Sequence, residues 1–370
     1  MLIAIKIIFQ LSLSYHSMME VIKIAFIIIG AKIGAGFASG KEIFEYFAKY
    51  GINSLLFIPL LFVSFFIFTY ILLSFGGKNK KYNLKQYNVI LANNNKIFGK
   101  TFNIFNLFMI ITFFILSSAM FSGLISLFQT YLPSIPKLPI YLSVLFITYI
   151  LIKTSFSAIS KISYIIVPLI IICIIINMTF TINPENFTTS VGVANVINLA
   201  PLSILYASQN TFLASFIIIK SGKDLNKKQM KQVSLLVSFI LCSLIILGII
   251  CFLFNPALSH YDIPFAYISK EVGIIFGYLF GFIIFGSIIT TYATTLTSLK
   301  EYFKNLKFGF LIMLTIICSL SLINFSNIIE YLYPVIGVFG FIYIYKAFQK
   351  CDLSFNFFTR NSNNKIHNTR

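Results

Sequence analysis

The sequence is poor in charged side chains, and acidic ones are the scarcest. Aspartate and glutamate together number 10 of 370 residues, charged residues of both signs make up 10%, and 58% of the residues are hydrophobic. A soluble domain usually carries about 25% charged residues. This composition excludes an ordinary soluble protein and indicates a chain that crosses a membrane several times.

Residues that commonly act as nucleophiles, bases or metal ligands are also few. The three histidines, at positions 16, 260 and 367, lie outside the apolar segments, and the sequence has neither an HExxH nor a GxSxG motif. The five cysteines include no CxxC pair and no pair within a loop. We therefore predict that the protein is not an enzyme, that it has no disulfide framework, and that it holds no cofactor other than, in one alternative, Na⁺.

Basic residues are abundant, and their distribution predicts an orientation. The net charge is +18, but the lysines lie almost entirely in short gaps between apolar segments: six between 78 and 100, and five between 220 and 231. The intervening loops carry almost none. The positive-inside rule then places both termini in the cytoplasm of a cell-membrane protein. The lipid bilayer, and not a nucleic acid, is the partner that this basic charge predicts.

Counting about 20 apolar residues per crossing gives an all-α protein of ten transmembrane helices. The predicted spans are 21–49, 54–75, 101–128, 138–152, 162–182, 192–219, 232–254, 272–299, 308–323 and 328–348. The predicted domains are an N-terminal cytoplasmic extension (1–20), a first five-helix repeat (21–182), a second five-helix repeat (183–348) and a basic cytoplasmic tail (349–370). Whether translation starts at Met1 or Met18 stays open, because no signal-peptide cleavage pattern follows the first apolar stretch.

Two of these spans are interrupted by residues that disfavour an apolar helix. The first contains GAKIGAGFASGKE at residues 30–42, with four glycines and two lysines, and the sixth contains APLSILYASQN at residues 200–210. The two lie five spans apart. Because five is odd, a second five-span unit enters the membrane in the opposite orientation, so any repeat is inverted. Interrupted segments at corresponding positions of two halves are typical of a transporter binding site.

The interrupted segments also carry a family resemblance. The run IGAKIGAGFASGKEIFEYFAKYG at residues 29–51 resembles the first span of the YkvI-type membrane proteins, and LYASQN at residues 205–210 is similar to their second signature. That largely uncharacterised family is grouped with the amino acid, polyamine and organocation transporters. The resemblance implies a LeuT-type five-plus-five inverted repeat, with broken helices 1 and 6, over nearly the whole chain.

A helix break within a membrane is tolerated only where its freed backbone groups face a cavity or other protein. Carbonyl oxygens ending the first half-helix would attract cations, and N–H groups starting the second would attract a carboxylate. The alternative is close helix packing through Gly30/Gly34 and Gly36/Gly40. The predicted substrate-binding residues are Gly34, Ala35, Gly36, Phe37, Tyr206, Ser208, Gln209 and Asn210.

The eighth span carries a stripe of hydroxyl side chains. By resemblance to sodium-coupled relatives, Thr290 and Thr291 would ligate Na⁺ together with the carbonyls of Gly30 and Ile33, since hard cations prefer oxygen ligands. The alternative is that the hydroxyls bond back to their own helix. The predicted ion-coupling residues are Gly30, Lys32, Ile33, Ser287, Thr290 and Thr291.

Lys32 departs from the family pattern, in which this position is small or neutral. Its depth in the span requires a cavity or a partner, for which Glu330 and the carbonyl end of the first half-helix are candidates. A tethered ammonium there could replace a coupling cation and carry protons, or it could be an inert, polar-paired lysine. Glu42 and Glu45 lie either in a water-filled vestibule or at the membrane interface.

The function predicted from these features is secondary transport of an amino acid or similar small amine. Coupling to Na⁺ or H⁺ would drive alternating access around a midplane site between helices 1 and 6. The alternative is a non-transporting receptor or sensor on the same fold, like the permease-like subunits of spore germinant receptors. The residues alone do not select the substrate or the ion.

Overall fold

A computed structural model describes residues 18–80, 84–91, 104–153, 168–177, 179–180, 187–189, 198–303 and 306–351. Within these ranges the secondary structure is helical, without a strand. This agrees with the composition. In hydrocarbon each backbone N–H and C=O must be bonded internally, and a helix achieves that within one segment.

Sixteen α-helices follow one another along the described residues. They are 18–32 (α1), Ala35–Ala38 (α2), Lys41–Tyr46 (α3), Ile58–Lys78 (α4), Leu84–Leu91 (α5), Ile104–Tyr131 (α6), Lys137–Lys153 (α7), Pro168–Asn177 (α8), Leu199–Leu213 (α9), Ser215–Ser221 (α10), Lys227–Phe254 (α11), Pro264–Val272 (α12), Ile274–Phe303 (α13), Gly309–Leu320 (α14), Phe325–Asn327 (α15) and Tyr333–Lys350 (α16). A 3₁₀ segment, Ala48–Phe57, leads into α4, and a π-helical turn, Ile328–Leu332, joins α15 to α16.

Several of these helices are suited to cross a membrane. Among the described residues, five helical stretches are long and apolar enough, and the bent pair α9–α10 makes a sixth if it counts as one span. The five stretches are Ala48–Lys78, Ile104–Tyr131, Lys227–Phe254, Ile274–Lys300 and Phe325–Lys350. The prediction of a polytopic helical protein is thereby confirmed, while ten spans and an inverted repeat stay predictions.

The first span is interrupted at the glycine-rich stretch. Helix α1 ends at residue 32, Ile33 and Gly34 are not helical, and the chain resumes with the single turn of α2. A second change of direction follows at Gly40, whose φ of 86° lies in the left-handed region. Glycine adopts this conformation without the steric cost that other residues incur, so Gly40 allows α3 to start at a new angle.

The sixth span is not interrupted where the sequence predicted. Helix α9 runs unbroken through 201–210, and the 66° bend lies after it, at Ala214. Pro201 falls in the first turn of α9, where the missing N–H breaks no helical bond. The hydroxyls of Ser203 and Ser208 donate to carbonyls one turn back, at 2.8 and 2.9 Å. The polar cluster is thus accommodated without unwinding.

Close backbone contacts hold the bent pair in place. A Cβ atom built on Gly76 of α4 would lie 1.9 Å from the carbonyl oxygen of Ile219 in α10, and one on Gly222 would lie 2.0 Å from that of Leu73. Glycines therefore allow α4 and α10 to touch along their backbones. On the other side of the pair, α9 packs against α16 through Gly337 and Gly340, again at backbone distance.

Candidate functional site

A cavity of about 90 Å³ opens beside the interruption of the first span. Six elements contribute to its wall: α1 with the break, α3, α6, the α9–α10 pair, α13 and α16. The lining residues are Ile27, Gly30, Ala31, Lys32, Gly34, Glu42, Phe113, Leu116, Met120, Leu213, Ile217, Thr290, Thr291, Thr294, Thr295 and Tyr333. Space for a few water molecules or one small ligand is therefore lined by two ionisable groups, a phenol and four hydroxyls.

The backbone at the break departs from the helical hydrogen-bond pattern. In a continuous helix the N–H of Gly34 would donate to the carbonyl of Gly30, but here it donates to the carbonyl of Lys32 at 3.1 Å. Helical bonding resumes where Ala38 donates to the carbonyl of Gly34 at 3.0 Å. The break thus withdraws one helical donor from Gly30, a residue that faces the cavity.

Lys32 is 3% exposed and is held by hydroxyl groups. Its Nζ donates to Thr69 Oγ1 of α4 and to Thr211 Oγ1 of α9, both at 3.0 Å, and lies 4.7 Å from the centre of the Phe65 ring. Among the described residues no carboxylate forms an ion pair with it, so Glu330 is not its partner. The expected partners were wrong because two threonines, 37 and 179 positions away along the chain, converge on the ammonium.

The two carboxylates of α3 have different surroundings. Glu45 pairs with Lys41 at 3.2 Å and with Lys49 at 3.0 Å. Glu42 is 4% exposed, lines the cavity, and accepts one long hydrogen bond, from the Tyr206 hydroxyl to Oε2 at 3.3 Å. Of the two alternatives drawn from the sequence, Glu42 thus faces an internal space, which a charge inside an apolar span already suggested.

The hydroxyl stripe of α13 faces the same cavity. Thr290 and Thr291 line it, and Ser287 Oγ lies 3.5 Å from the carbonyl oxygen of Ile33 at the break. Thr290 also donates to the carbonyl of Ser287 at 2.9 Å, so the hydroxyls bond back to their helix and border the cavity at once. These groups and the Gly30 carbonyl offer oxygen donors only, a set that fits a hard cation.

Most of the predicted substrate-binding residues lie behind the cavity wall. Gly34 lines the cavity and Tyr206 reaches it through Glu42, whereas Ala35, Gly36 and Phe37 are fully buried in α2.

The three consecutive polar residues of α9 form hydrogen bonds with other helices or with their own helix. Ser208 donates to the Gly337 carbonyl at 2.6 Å, Gln209 Oε1 accepts from Tyr46, and Asn210 donates to the Tyr206 carbonyl.

The sequence did not single out several residues that the structure places at the site. Thr69 and Thr211 hold Lys32, and Tyr333 lines the cavity. Thr69 and Thr211 carry no local signal, since a single threonine in an apolar helix ordinarily bonds its own backbone. Glu42 did carry one, because it is an acidic residue in a span.

The short helix α12 packs against the turn between α2 and α3. The Phe265 N–H donates to the Ser39 carbonyl at 2.9 Å, and the Phe265 ring packs against Gly40. Farther along, Lys270 donates to the Thr130 carbonyl and lies 4.4 Å from the Tyr131 ring centre. Burial lowers the pKa of Lys270, which lies outside the spans. These contacts close the bundle next to α2 and α3.

Comparison with known proteins agrees with a membrane protein and names no activity. No family model matches the chain. The chain is 24% identical over 334 residues to the uncharacterized membrane protein YkvI of Bacillus subtilis (strain 168), and the similarity covers 87% of this chain and 93% of that protein. Together with the apolar helices, this supports a multi-pass membrane protein that resembles YkvI along most of its length.

Proposed function

We propose that this protein is a secondary active transporter of an amino acid or similar small amine, built on the LeuT-type fold of the amino acid, polyamine and organocation superfamily. The substrate would bind at the cavity beside the break between α1 and α2, next to the α9–α10 pair. Alternating exposure of that cavity to the two sides of the membrane would move it.

The observation that carries the proposal is that an interrupted helix faces an internal cavity rather than a packed neighbour. If the glycines of the first span served helix packing alone, side chains would fill the space beside Gly34. Instead a Cβ atom built there would meet nothing nearer than 3.8 Å, from Thr291. Lys32 and Glu42 border the same space. Burying ionisable groups costs desolvation free energy, and interaction with a charged or polar ligand would offset part of that cost.

Two side-chain sets support the two coupling alternatives. Coupling to Na⁺ would use the oxygen donors around Ser287, Thr290 and Gly30. Coupling to H⁺ would use the ammonium of Lys32, which is directed at Thr69 and Thr211 rather than at Thr290 or Thr291. We propose proton coupling, because the Lys32 ammonium already stands beside the break and would oppose a sodium ion that is held there by neutral oxygen atoms alone.

The proposal is tested by uptake of labelled amino acids and amines into proteoliposomes, with sodium and pH gradients imposed separately. We expect uptake of at least one compound above that of protein-free liposomes, driven by the pH gradient. Uptake driven by sodium would reverse the coupling assignment. Binding of a compound in solution, without uptake under any gradient, would contradict transport and favour the receptor alternative.

A variant pair assigns the coupling group. We expect Lys32→Ala to lose the dependence of uptake on the pH gradient, because the ammonium between Thr69 and Thr211 is removed. Lys23→Ala is the matched control, since Lys23 is an exposed lysine of the same helix. The control should behave as the unmodified protein. Unchanged pH dependence in Lys32→Ala would show that the lysine has a structural role.

A further inference from the structure

Glu42 of α3 lines the cavity, and one of its two carboxylate oxygens has no hydrogen-bond donor among the described residues. Glu42 Oε2 accepts the hydroxyl of Tyr206, and no described residue donates a hydrogen bond to Oε1. Glu45, one turn later in the same helix, has a lysine on each oxygen. Lys41 is therefore engaged by Glu45 and is not the partner of Glu42.

The groups in contact with Glu42 are neutral, and the ammonium of Lys32, which lines the same cavity, donates to Thr69 and Thr211 instead. Tyr206 is hydrogen-bonded to it, Tyr333 lines the same cavity, and Gly36 lies beneath the carboxylate. A Cβ atom on Gly36 would be 2.3 Å from Glu42 Oε1. The absence of a side chain at Gly36 thus makes the space that the carboxylate fills. A buried carboxylate without a cation either takes up a proton or accepts a charge-assisted hydrogen bond that offsets its lost hydration.

The position of Glu42 also changes how a ligand would be oriented. The sequence predicted that the N–H groups of the second half-helix would receive a substrate carboxylate near Gly36. The structure places a protein carboxylate against Gly36 instead, and α2 is a single turn of four residues. Two carboxylates repel each other strongly where water is scarce. A ligand therefore presents a cationic group, and not an acid, to this wall.

From the free oxygen, the neutral neighbours and the adjoining cavity, we infer that Glu42 binds the ammonium group of the substrate. The inference rests on the proposed function and adds to it the residue that binds the protonated amine of the substrate. The ammonium lies at the Glu42 wall and donates to Oε1, while the remainder of the compound extends beside Gly34 and the threonines of α13. The cavity volume of about 90 Å³ selects small compounds.

The test measures binding to the purified full-length protein by calorimetry. The probes are the twenty standard amino acids, their decarboxylated amines and their deaminated acids, for example alanine, ethylamine and propionate. We expect binding of at least one ammonium-bearing compound and of none of the acids. Binding of a deaminated acid with the affinity of its amino acid, or no binding of any ammonium-bearing compound, would overturn the inference.

Substitutions then locate the contact. Glu42→Gln keeps the shape and removes the charge, and we expect it to weaken binding at least about tenfold, because a charge-assisted hydrogen bond is lost. Glu42→Asp should retain part of the affinity. Glu45→Gln is the matched control, since it neutralises a carboxylate of the same helix that does not line the cavity, and its affinity should stay within about twofold of the unmodified protein.

The outcomes separate this inference from the proposed function. Equal affinity in Glu42→Gln and the unmodified protein, with uptake present, would overturn the role of Glu42 and leave transport intact. Binding that depends on Glu42, with no uptake into proteoliposomes, would support the ammonium site and contradict transport. If Glu42→Gln does not yield folded protein, the preference of the unmodified protein for amines over acids carries the decision.

Discussion

The first span and the α9–α10 pair both change direction inside the bundle, but by different means. At Ala214 the backbone keeps helix-like bonds across the 66° bend, since Ala214 donates to Asn210 at 3.3 Å and Ile218 donates to Ala214 at 3.0 Å. At Gly34 the helical bond to Gly30 is replaced by one to Lys32. At the bend Ala214 keeps a helical hydrogen bond on each side, whereas at the break the helical bond to the Gly30 carbonyl is lost.

The surroundings of the two interruptions differ in the same way. Gly222, just after α10, fits against the backbone of α4 with no room for a Cβ atom, while a Cβ atom on Gly34 would touch only Thr291, at 3.8 Å. The polar side chains of α9 bond mainly to other protein groups, with Gln209 Nε2 left unbonded behind the cavity wall, whereas Glu42 lines the cavity and one of its oxygens accepts no hydrogen bond from a described residue. An interruption provides a ligand site only where it leaves both volume and unused polar groups.

The comparison predicts that adding one methyl group where α10 ends against α4 lowers the stability of the protein. We expect Gly222→Ala to lower the free energy of unfolding by about 1–3 kcal/mol, because its Cβ atom would meet the Leu73 carbonyl at 2.0 Å and force α4 and α10 apart. Thermal unfolding of the detergent-solubilised protein measures the change.

Gly273→Ala is the control for this prediction. Gly273 lies between α12 and α13, and a Cβ atom built on it would meet no atom within 4 Å. Its unfolding temperature should match that of the unmodified protein. Equal stability of Gly222→Ala and Gly273→Ala would show that α4 and α10 are not in close contact and would remove the contrast between the two interruptions.

The break should respond to added volume in the opposite way. We expect Gly34→Val to reduce uptake or ligand affinity at least about tenfold, equivalent to 1.4 kcal/mol, while stability changes by less than about 1 kcal/mol. The φ and ψ of Gly34, −91° and −172°, suit a β-branched residue, and its Cβ atom would touch Thr291 at 3.8 Å without a clash.

A graded series makes the test of Gly34 sharper. Gly34→Ala adds one methyl group and should have an intermediate effect on affinity if cavity volume is the cause. Binding measured by calorimetry and unfolding followed by heating separate the two readouts. Full affinity in Gly34→Val, with normal stability, would show that the ligand does not occupy the space beside the break.

How far the sequence predicted this arrangement depends on the range of the interactions. The break near Gly34 was predictable because glycines and lysines in an apolar run disfavour a continuous helix through local terms. The same reasoning placed a break at 201–210, where Pro201 falls in a first turn and serines bond back to carbonyls. Local helix propensity identifies residues that disfavour a helix, but it does not show whether the helix accommodates them or breaks.

The partners of the charged groups were not predictable from the sequence. Thr69 and Thr211 meet Lys32 because α4 and α9 pack beside α1, and nothing in the sequence pairs those positions. Composition does not distinguish Glu42 from Glu45. Only Glu45 has a lysine one helical turn away on each side, at 41 and 49. That spacing is a local signal that could have marked Glu42 as the unpaired carboxylate.

The smallest expected effect concerns the polar cluster of α9. Ser208 is fully buried, and its hydroxyl lies 2.6 Å from the Gly337 carbonyl of α16 and 2.9 Å from the Leu205 carbonyl of its own helix. We expect Ser208→Ala to lower the free energy of unfolding by about 1 kcal/mol or less, since interhelical hydrogen bonds in membranes contribute about that much, and to leave ligand affinity unchanged.

Ser243→Ala is the matched control for Ser208→Ala, because Ser243 of α11 is half-buried and bonds back to the Phe239 carbonyl of its own helix. It should change neither stability nor affinity. The two measurements, unfolding temperature and calorimetric affinity, decide between two roles for the serine of LYASQN. A loss of affinity in Ser208→Ala without a loss of stability would place this hydroxyl in the binding site, in which case the bent span, like the broken one, would present ligand-binding groups to the substrate.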